Sequence, residues 1–329
     1  YLEHHILPHV NTIISYGPPQ EEHDMWIDFG GHWLSSTPLP GLYETKAPDP
    51  EKVYTAWKHS PVLAYDGFHG LIVDEFLPGA GPSRYQAWGT ALDRLRQDPA
   101  FQDKRFYAWS WNLFAEEPSC AFADKVIKGG DVIAWECYVD EEDTDQLFYR
   151  RQLATMKDDF ESWNQAIPGA AAQIVVTLSN LSAPPETQNR FPHIDYHVAK
   201  DVQYQLMACD PAFWQIGGVM EYQTNYADEE SLRQAYRLIR HYCIEGNREP
   251  LTDGPLLLPH LSNPDFARGL DSWTVEATDD ATVSARQIRG IGWLQGRWRR
   301  MMEGNTLCVL DPGQQGTACV HQQVRKLQP

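Results

Sequence analysis

The 329-residue chain is short of basic residues: Lys and Arg number 27 against 45 Asp and Glu, a formal net charge of −18. That balance argues against a nucleic-acid partner or an anionic membrane surface, because both would repel it. No Gly-rich phosphate loop follows any apolar run, so neither the dinucleotide fingerprint nor the Walker loop is available. The six cysteines, at 120, 137, 209, 243, 308 and 319, form no CxxC pair and no regular spacing with His, so no structural zinc site is expected. Cys308 and Cys319 would pair only if they fell on facing strands. There is no run of 18 apolar residues and no signal-peptide pattern, so no membrane span is expected. The opening Tyr1-Leu2-Glu3-His4-His5 reads as the end of a helix, so the natural chain is expected to begin earlier.

What is present is a core and many aromatic rings. The hydrophobic fraction is 42%, enough for one large domain and part of a second, with Trp 12, Tyr 15 and Phe 12. Most of those rings are core filler, but rings are also the usual surfaces on which sugars stack. Gly70-Leu71-Ile72-Val73-Asp74-Glu75-Phe76 is a short apolar run closed by two carboxylates and Pro78-Gly79, the pattern of a buried parallel strand. Comparable runs near 10–15, 106–112, 132–138, 173–179 and 217–222 alternate with helical patterns at Arg84 to Gln97, Phe122 to Lys128, Gln146 to Ala166, Asp195 to Cys209 and Asp228 to Glu245. Six strands, each followed by a crossover, predict a parallel α/β sheet. Without a phosphate loop, a closed (β/α)8 barrel over residues 1–255 is favoured, its first one or two strands lying before residue 1. The Gly-, Pro- and aromatic-rich stretch from Tyr16 to about Thr55 reads as a long functional loop.

Beyond Pro250 the texture changes, and residues 256–329 read as part of a β-sandwich. Thr274 to Ala277, Thr282 to Ala285, Thr306 to Leu310 and Thr317 to Val324 alternate apolar and polar residues with turns between them. The opening Asn263-Pro264-Asp265-Phe266 with Gly269-Leu270 and Trp273, then Gly304 to Leu310 and Val320-His321-Gln322-Gln323-Val324, resembles the first half of the carbohydrate-binding-module-like jelly rolls appended to bacterial glycoside hydrolases. The basic stretch Gly296-Arg297-Trp298-Arg299-Arg300 reads as an interdomain salt-bridge partner.

Three carboxylates end strands: Glu75 with Asp74, Glu136, and Glu221. At the C-terminal edge of a parallel sheet they would share one mouth. Side chains alternate along a strand, so only one of Asp74 and Glu75 is expected to face inward, and Glu75, sharing a face with Val73, is preferred. Two carboxylates across a pocket can divide the work of glycoside hydrolysis, one protonating a leaving oxygen while the other attacks carbon or activates water. A lone strand-end Glu is often a structural ion-pair partner; three on separate strands of one sheet point to a pocket. The aromatic strand ends and the appended segment add a resemblance to barrel-fold glycoside hydrolases. The chain departs from the large clan with Asn-Glu ending strand four and a nucleophilic Glu on strand seven, since Val73-Asp74-Glu75 lacks the Asn and the expected seventh strand ends in Ser179-Asn180.

The expectation is a secreted or periplasmic bacterial glycoside hydrolase acting on a polysaccharide or oligosaccharide, needing no cofactor or metal. Glu75 would be general acid/base, Glu136 nucleophile or base, and Glu221 a substrate holder. Asp74, Trp109, Trp111, Asn112, Tyr138, Tyr222 and Asn225 are the expected substrate-binding residues. Two alternatives stand beside it: a non-catalytic carbohydrate-binding barrel, and a metal-dependent barrel hydrolase using His193, His197 and a strand-end carboxylate, with Asp195 in the same row.

Overall fold

The structure, a computed structural model, describes residues 5–15, 26–60, 67–138, 152–182, 187–188, 195–223, 226–253, 262–263, 266, 268–287 and 306–323. Seven strands form one sheet in chain order, each parallel to its neighbour: β1 Thr12–Ser15, β2 His32–Pro38, β3 Gly70–Asp74, β4 Arg105–Ser110, β5 Val132–Glu136, β6 Ile174–Asn180 and β7 Gly218–Gln223. The crossovers carry helices α1 Pro50–Lys58, α2 Pro82–Gln97, α3 Glu117–Lys128, α4 Ala154–Ala166 and α5 Tyr196–Cys209; α6 Glu229–Leu238 follows β7 and runs on as a π-turn.

Strand alternation sorts the sheet into two faces. Leu71, Val73, Phe106, Ala108, Ile133, Trp135, Ile174, Val176 and Leu178 turn outward and join one core with Trp57 of α1, Trp88 and Leu92 of α2, Phe122 of α3 and Phe160 and Trp163 of α4. Leu34, Ile72, Trp109 and Ala134 turn the other way and meet Ile14 of β1 and Met220 and Tyr222 of β7. Contact between rings of β4 and β7 requires the sheet to curl. In a flat sheet β4 and β7 would lie about 14 Å apart, yet the Trp109 and Tyr222 rings are 5.4 Å apart, edge to face.

The result is a curled half-barrel of the TIM type, in keeping with the expected parallel α/β architecture; no pairing joins β1 to β7 among the described residues. It also contains one strand more than the six expected. Strand β2 was hidden in the aromatic loop because its centre is Ser35-Ser36, polar residues that are nevertheless buried. Helix α1 was hidden with it, although Asp49 caps its first turn through Glu51 N and Pro50 starts it.

Farther along the chain, β8 Thr274–Ala277 pairs with β11 Ala318–His321 and β9 Thr282–Gln287 with β10 Thr306–Asp311, both antiparallel. These two small sheets are what the described residues contain of the expected sandwich. The Asn-Pro-Asp-Phe motif has a structural use. The Asn263 amide donates to the Gly269 and Asp271 carbonyls at 3.0 and 2.9 Å, its side-chain oxygen accepts from Arg268 N, and the Trp273 indole donates back to the Asn263 carbonyl while stacking on Phe266. Cys308 and Cys319 are free thiols. The basic stretch 296–300 lies outside the described residues. Among the described residues no helix is long and apolar enough to cross a membrane.

An ion pair between half-buried Arg96 and buried Asp131 fastens the start of β5. Asp131 accepts from Phe106 N at 2.9 Å and from Arg96 Nε at 2.8 Å, and Arg96 Nη2 also reaches the last carbonyls of α3 at Lys125 and Val126. Removing one partner leaves a buried charge uncompensated, which costs several times what an exposed pair contributes. Arg96→Met is therefore expected to lower unfolding stability by about 3 kcal/mol in chemical denaturation, whereas Arg233→Met, which breaks an exposed pair with Glu229 on α6, should change it by less than about 1 kcal/mol.

Candidate active site

Strand β3 delivers two consecutive carboxylates to the same place, which simple alternation forbids. Val73 faces the helices and Asp74 the concave side; Glu75 should then face the helices and Phe76 the interior. Instead Glu75 takes a left-handed backbone at φ 69°, and Phe76 returns to the helix-side core with no exposed surface, its N–H donating to the Trp109 carbonyl at 3.0 Å. Glu75 is thus an extra residue spliced into the strand end, in the manner of a β-bulge, and it re-aims a side chain at the sheet's rim. The expected face of Glu75 is corrected here: Val73 points into the outer core, and the regular inward position belongs to Asp74.

A cleft of about 540 Å³ opens at this C-terminal edge. Asp74 and Glu75 line it from β3, Trp109, Ser110 and Trp111 from β4, Glu136 and Tyr138 from β5, and Tyr222 from β7, with Leu77 and Leu181 between. Small Ala134 beneath Glu136 leaves room for the Trp109 indole. Seven of the ten residues expected at the site are therefore brought together: Asp74, Glu75, Trp109, Trp111, Glu136, Tyr138 and Tyr222.

The electrostatics are uneven. Burial, and then the adjacent Glu75 carboxylate, push the Asp74 carboxyl up to about 6, against a backbone hydrogen bond that favours its charged form. The Tyr138 hydroxyl bonds to Glu136; burial first, and the neighbouring Glu136 charge next, keep this phenol protonated far above its ordinary range. Tyr138 thus keeps its proton beside Glu136, and its ring stacks on Tyr222 at 5.7 Å. Glu75 accepts from the hydroxyl of Tyr43, whose titration is pushed up to about 12, chiefly by that hydrogen bond.

Two expected site residues, Glu221 and Asn112, lie elsewhere. Glu221 falls between Met220 and Tyr222, both on the concave side, so it faces the helices. There it is 2% exposed, accepting from the Tyr204 hydroxyl at 2.7 Å and pairing with Lys200 of α5 at 3.3 Å, while Lys200 also donates to the Ser179 carbonyl. Asn112 turns its side-chain oxygen to Phe114 N, shaping the loop after β4, and does not line the cleft. Asn225 and His193 lie outside the described residues. Asp195 caps α5, accepting from His197 N and Val198 N, and the His197 ring meets Ser231. Among the described residues no group of three His, Cys, Asp or Glu side chains could hold a metal ion.

Comparisons add little to this geometry. Neither known protein families nor curated proteins give a match. Among solved structures the chain is similar to an endo-beta-N-acetylglucosaminidase from Cordyceps militaris, at 12% identity and TM-score 0.43, over 70% of this chain and 80% of that one. It is also similar to an endo-1,4-beta-xylanase from Penicillium canescens (14%, TM-score 0.37, 65% and 74%) and to an orotidine 5'-monophosphate decarboxylase from Methanocaldococcus jannaschii (10%, TM-score 0.36, 71% and 88%). At such scores these likenesses carry no argument. The residues decide.

Sequence reading missed Tyr43, Ser110, Leu77 and Leu181. Ser110 ends a recognised strand, and its hydroxyl donates to the Phe76 carbonyl, locking the spliced turn. Tyr43 sits in a loop without periodicity, so nothing in the sequence ties it to Glu75.

The left-handed backbone at Glu75 is testable by a comparison that cancels the lost carboxylate. Glu75→Gly and Glu75→Ala both remove it, but only glycine adopts positive φ without strain. Glu75→Gly should be more stable than Glu75→Ala by about 1 kcal/mol, the reverse of the usual order within regular elements. An alanine variant of equal or greater stability would contradict the spliced turn.

Proposed function

We propose that the chain is a glycoside hydrolase, with Asp74 and Glu136 as the pair that divides the chemistry. The observation that carries the reading is the convergence of strand-end carboxylates from β3 and β5 in one aromatic-walled cleft at the C-terminal edge of a parallel sheet. Asp74 takes the proton-donor role expected of Glu75. It holds its proton to about pH 6 and can pass it to the leaving glycosidic oxygen. Glu136, given a hydrogen bond by Tyr138, supplies the carboxylate that stabilises positive charge developing at the sugar carbon, or attacks it. The faces of Trp111 and of the Tyr138–Tyr222 pair are surfaces for the apolar side of a sugar ring.

One feature favours catalysis over simple binding. A sugar-binding cleft needs hydrogen-bond partners and rings, but gains nothing from a carboxyl that burial and a neighbouring charge keep protonated. A carboxyl that keeps its proton to about pH 6 is what a general acid requires.

On whichever glycan the wild type cleaves in a polysaccharide panel, Glu136→Gln and Asp74→Asn should each lower kcat by roughly 10²- to 10⁴-fold, measured as reducing ends released. Full turnover in both variants would overturn the proposal. Wild-type activity should fall as pH rises through about 6, because the donor loses its proton, and Asp74→Asn should abolish that limb. Stability shares the sign. The folded-state value of Asp74 is raised, so its contribution is present at low pH and is lost as pH rises through about 6.

A further inference from the structure

We infer that the cleft accepts glycans carrying no negative charge on the sugars that span Asp74 and Glu136, and rejects the corresponding uronates. This deepens the glycoside hydrolase reading and rests on it. Three of the lining side chains are carboxylates, four are aromatic, two are leucine and one is serine; among the described residues none is basic. Among the described residues, Arg84 at the start of α2 and Lys200 of α5 are committed elsewhere. Arg84 donates to the carbonyls of Gly41, Ala80 and Glu44, and Lys200 lies behind the sheet on Glu221 and the Ser179 carbonyl.

The lining carries its charge on acceptors, while its donors, the indole N–H groups of Trp109 and Trp111 and the hydroxyl of Tyr222 among them, are neutral. The Ser110 hydroxyl is used on the Phe76 carbonyl, the Tyr43 hydroxyl on Glu75 and the Tyr138 hydroxyl on Glu136. A neutral sugar suits such a surface, since each hydroxyl donates a hydrogen to a carboxylate and the ring lies against an aromatic face. A sugar carboxylate brings more acceptors, no donor and a charge of the same sign, in a partly desolvated site where like charges repel more strongly than in water. Protonation of Asp74 does not remove the conflict, because Glu75 and Glu136 remain.

The test uses the neutral polysaccharide that the wild-type protein cleaves, the same polymer with its primary alcohols oxidised to carboxylates, and the methyl ester of that oxidised polymer. At low salt, kcat/KM on the oxidised polymer should fall by roughly tenfold or more, should recover substantially on the methyl ester, and should recover in part at high salt. Equal or faster cleavage of the oxidised form overturns the inference, as does a methyl ester as poor as the acid, which would mean shape and not charge. The hydrolase reading fails separately. If no neutral glycan is cleaved, the same three-polymer comparison is made for binding by affinity electrophoresis. Retained preference for the uncharged forms then sinks only the catalytic reading, and absence of all binding sinks both.

Discussion

The site depends on one residue that does not obey the period of its strand. Glu75 in a left-handed conformation breaks the alternation of β3, which lets Asp74 keep the inward position while Phe76 returns to the outer core. Positive φ at a non-glycine residue costs about 1–2 kcal/mol, and it persists only where neighbouring contacts hold it. Here they are visible. Phe76 stacks on Phe122 at 4.8 Å and meets Trp88 edge-on, its N–H and carbonyl are both tied to β4, and Tyr43 holds the Glu75 carboxylate from the loop above. Two neighbouring carboxylates result, and their mutual repulsion adds to burial in keeping a proton on Asp74.

Curling of the sheet is the second constraint. Seven parallel strands in chain order present a continuous concave face, and inward rings on β4, β5 and β7 meet over it: Trp109 on Tyr222 and Tyr138 on Tyr222. That contact brings β5 and its Glu136 toward the far wall of the cleft. The opposite face does different work. Glu221, Lys200 and Tyr204 form a buried polar cluster between β7 and α5, in which one carboxylate oxygen of Glu221 takes both the Tyr204 hydroxyl and the Lys200 ammonium.

Much of this was legible in the sequence because short apolar runs between helical patterns are a direct record of burial on both faces. Strands β1 and β3 to β7 and most of the helices followed from that record, and the acidic strand ends marked the edge where a site belongs. What was lost was lost for physical reasons. Strand β2 buries serines, so its composition resembles a loop. The face of Glu221 was set by large neighbours, Met220 and Tyr222, which fill the concave side. Two carboxylates at 74 and 75 looked mutually exclusive under a period of two, although Val73 and Phe76, both apolar and three apart, already signalled a break in that period. Tyr43 reaches Glu75 across 32 residues of sequence, a distance at which no local pattern speaks.

The account stands most directly on the proton held by Asp74 and on the neighbour that helps to hold it. A carbon-detected NMR titration of the side-chain carboxyls, on the wild type and on Glu75→Gln, measures both. Asp74 should titrate near pH 6 in the wild type and move toward the ordinary aspartate range when the adjacent charge is removed. An Asp74 that titrates like a solvent-exposed aspartate, indifferent to residue 75, would contradict the account.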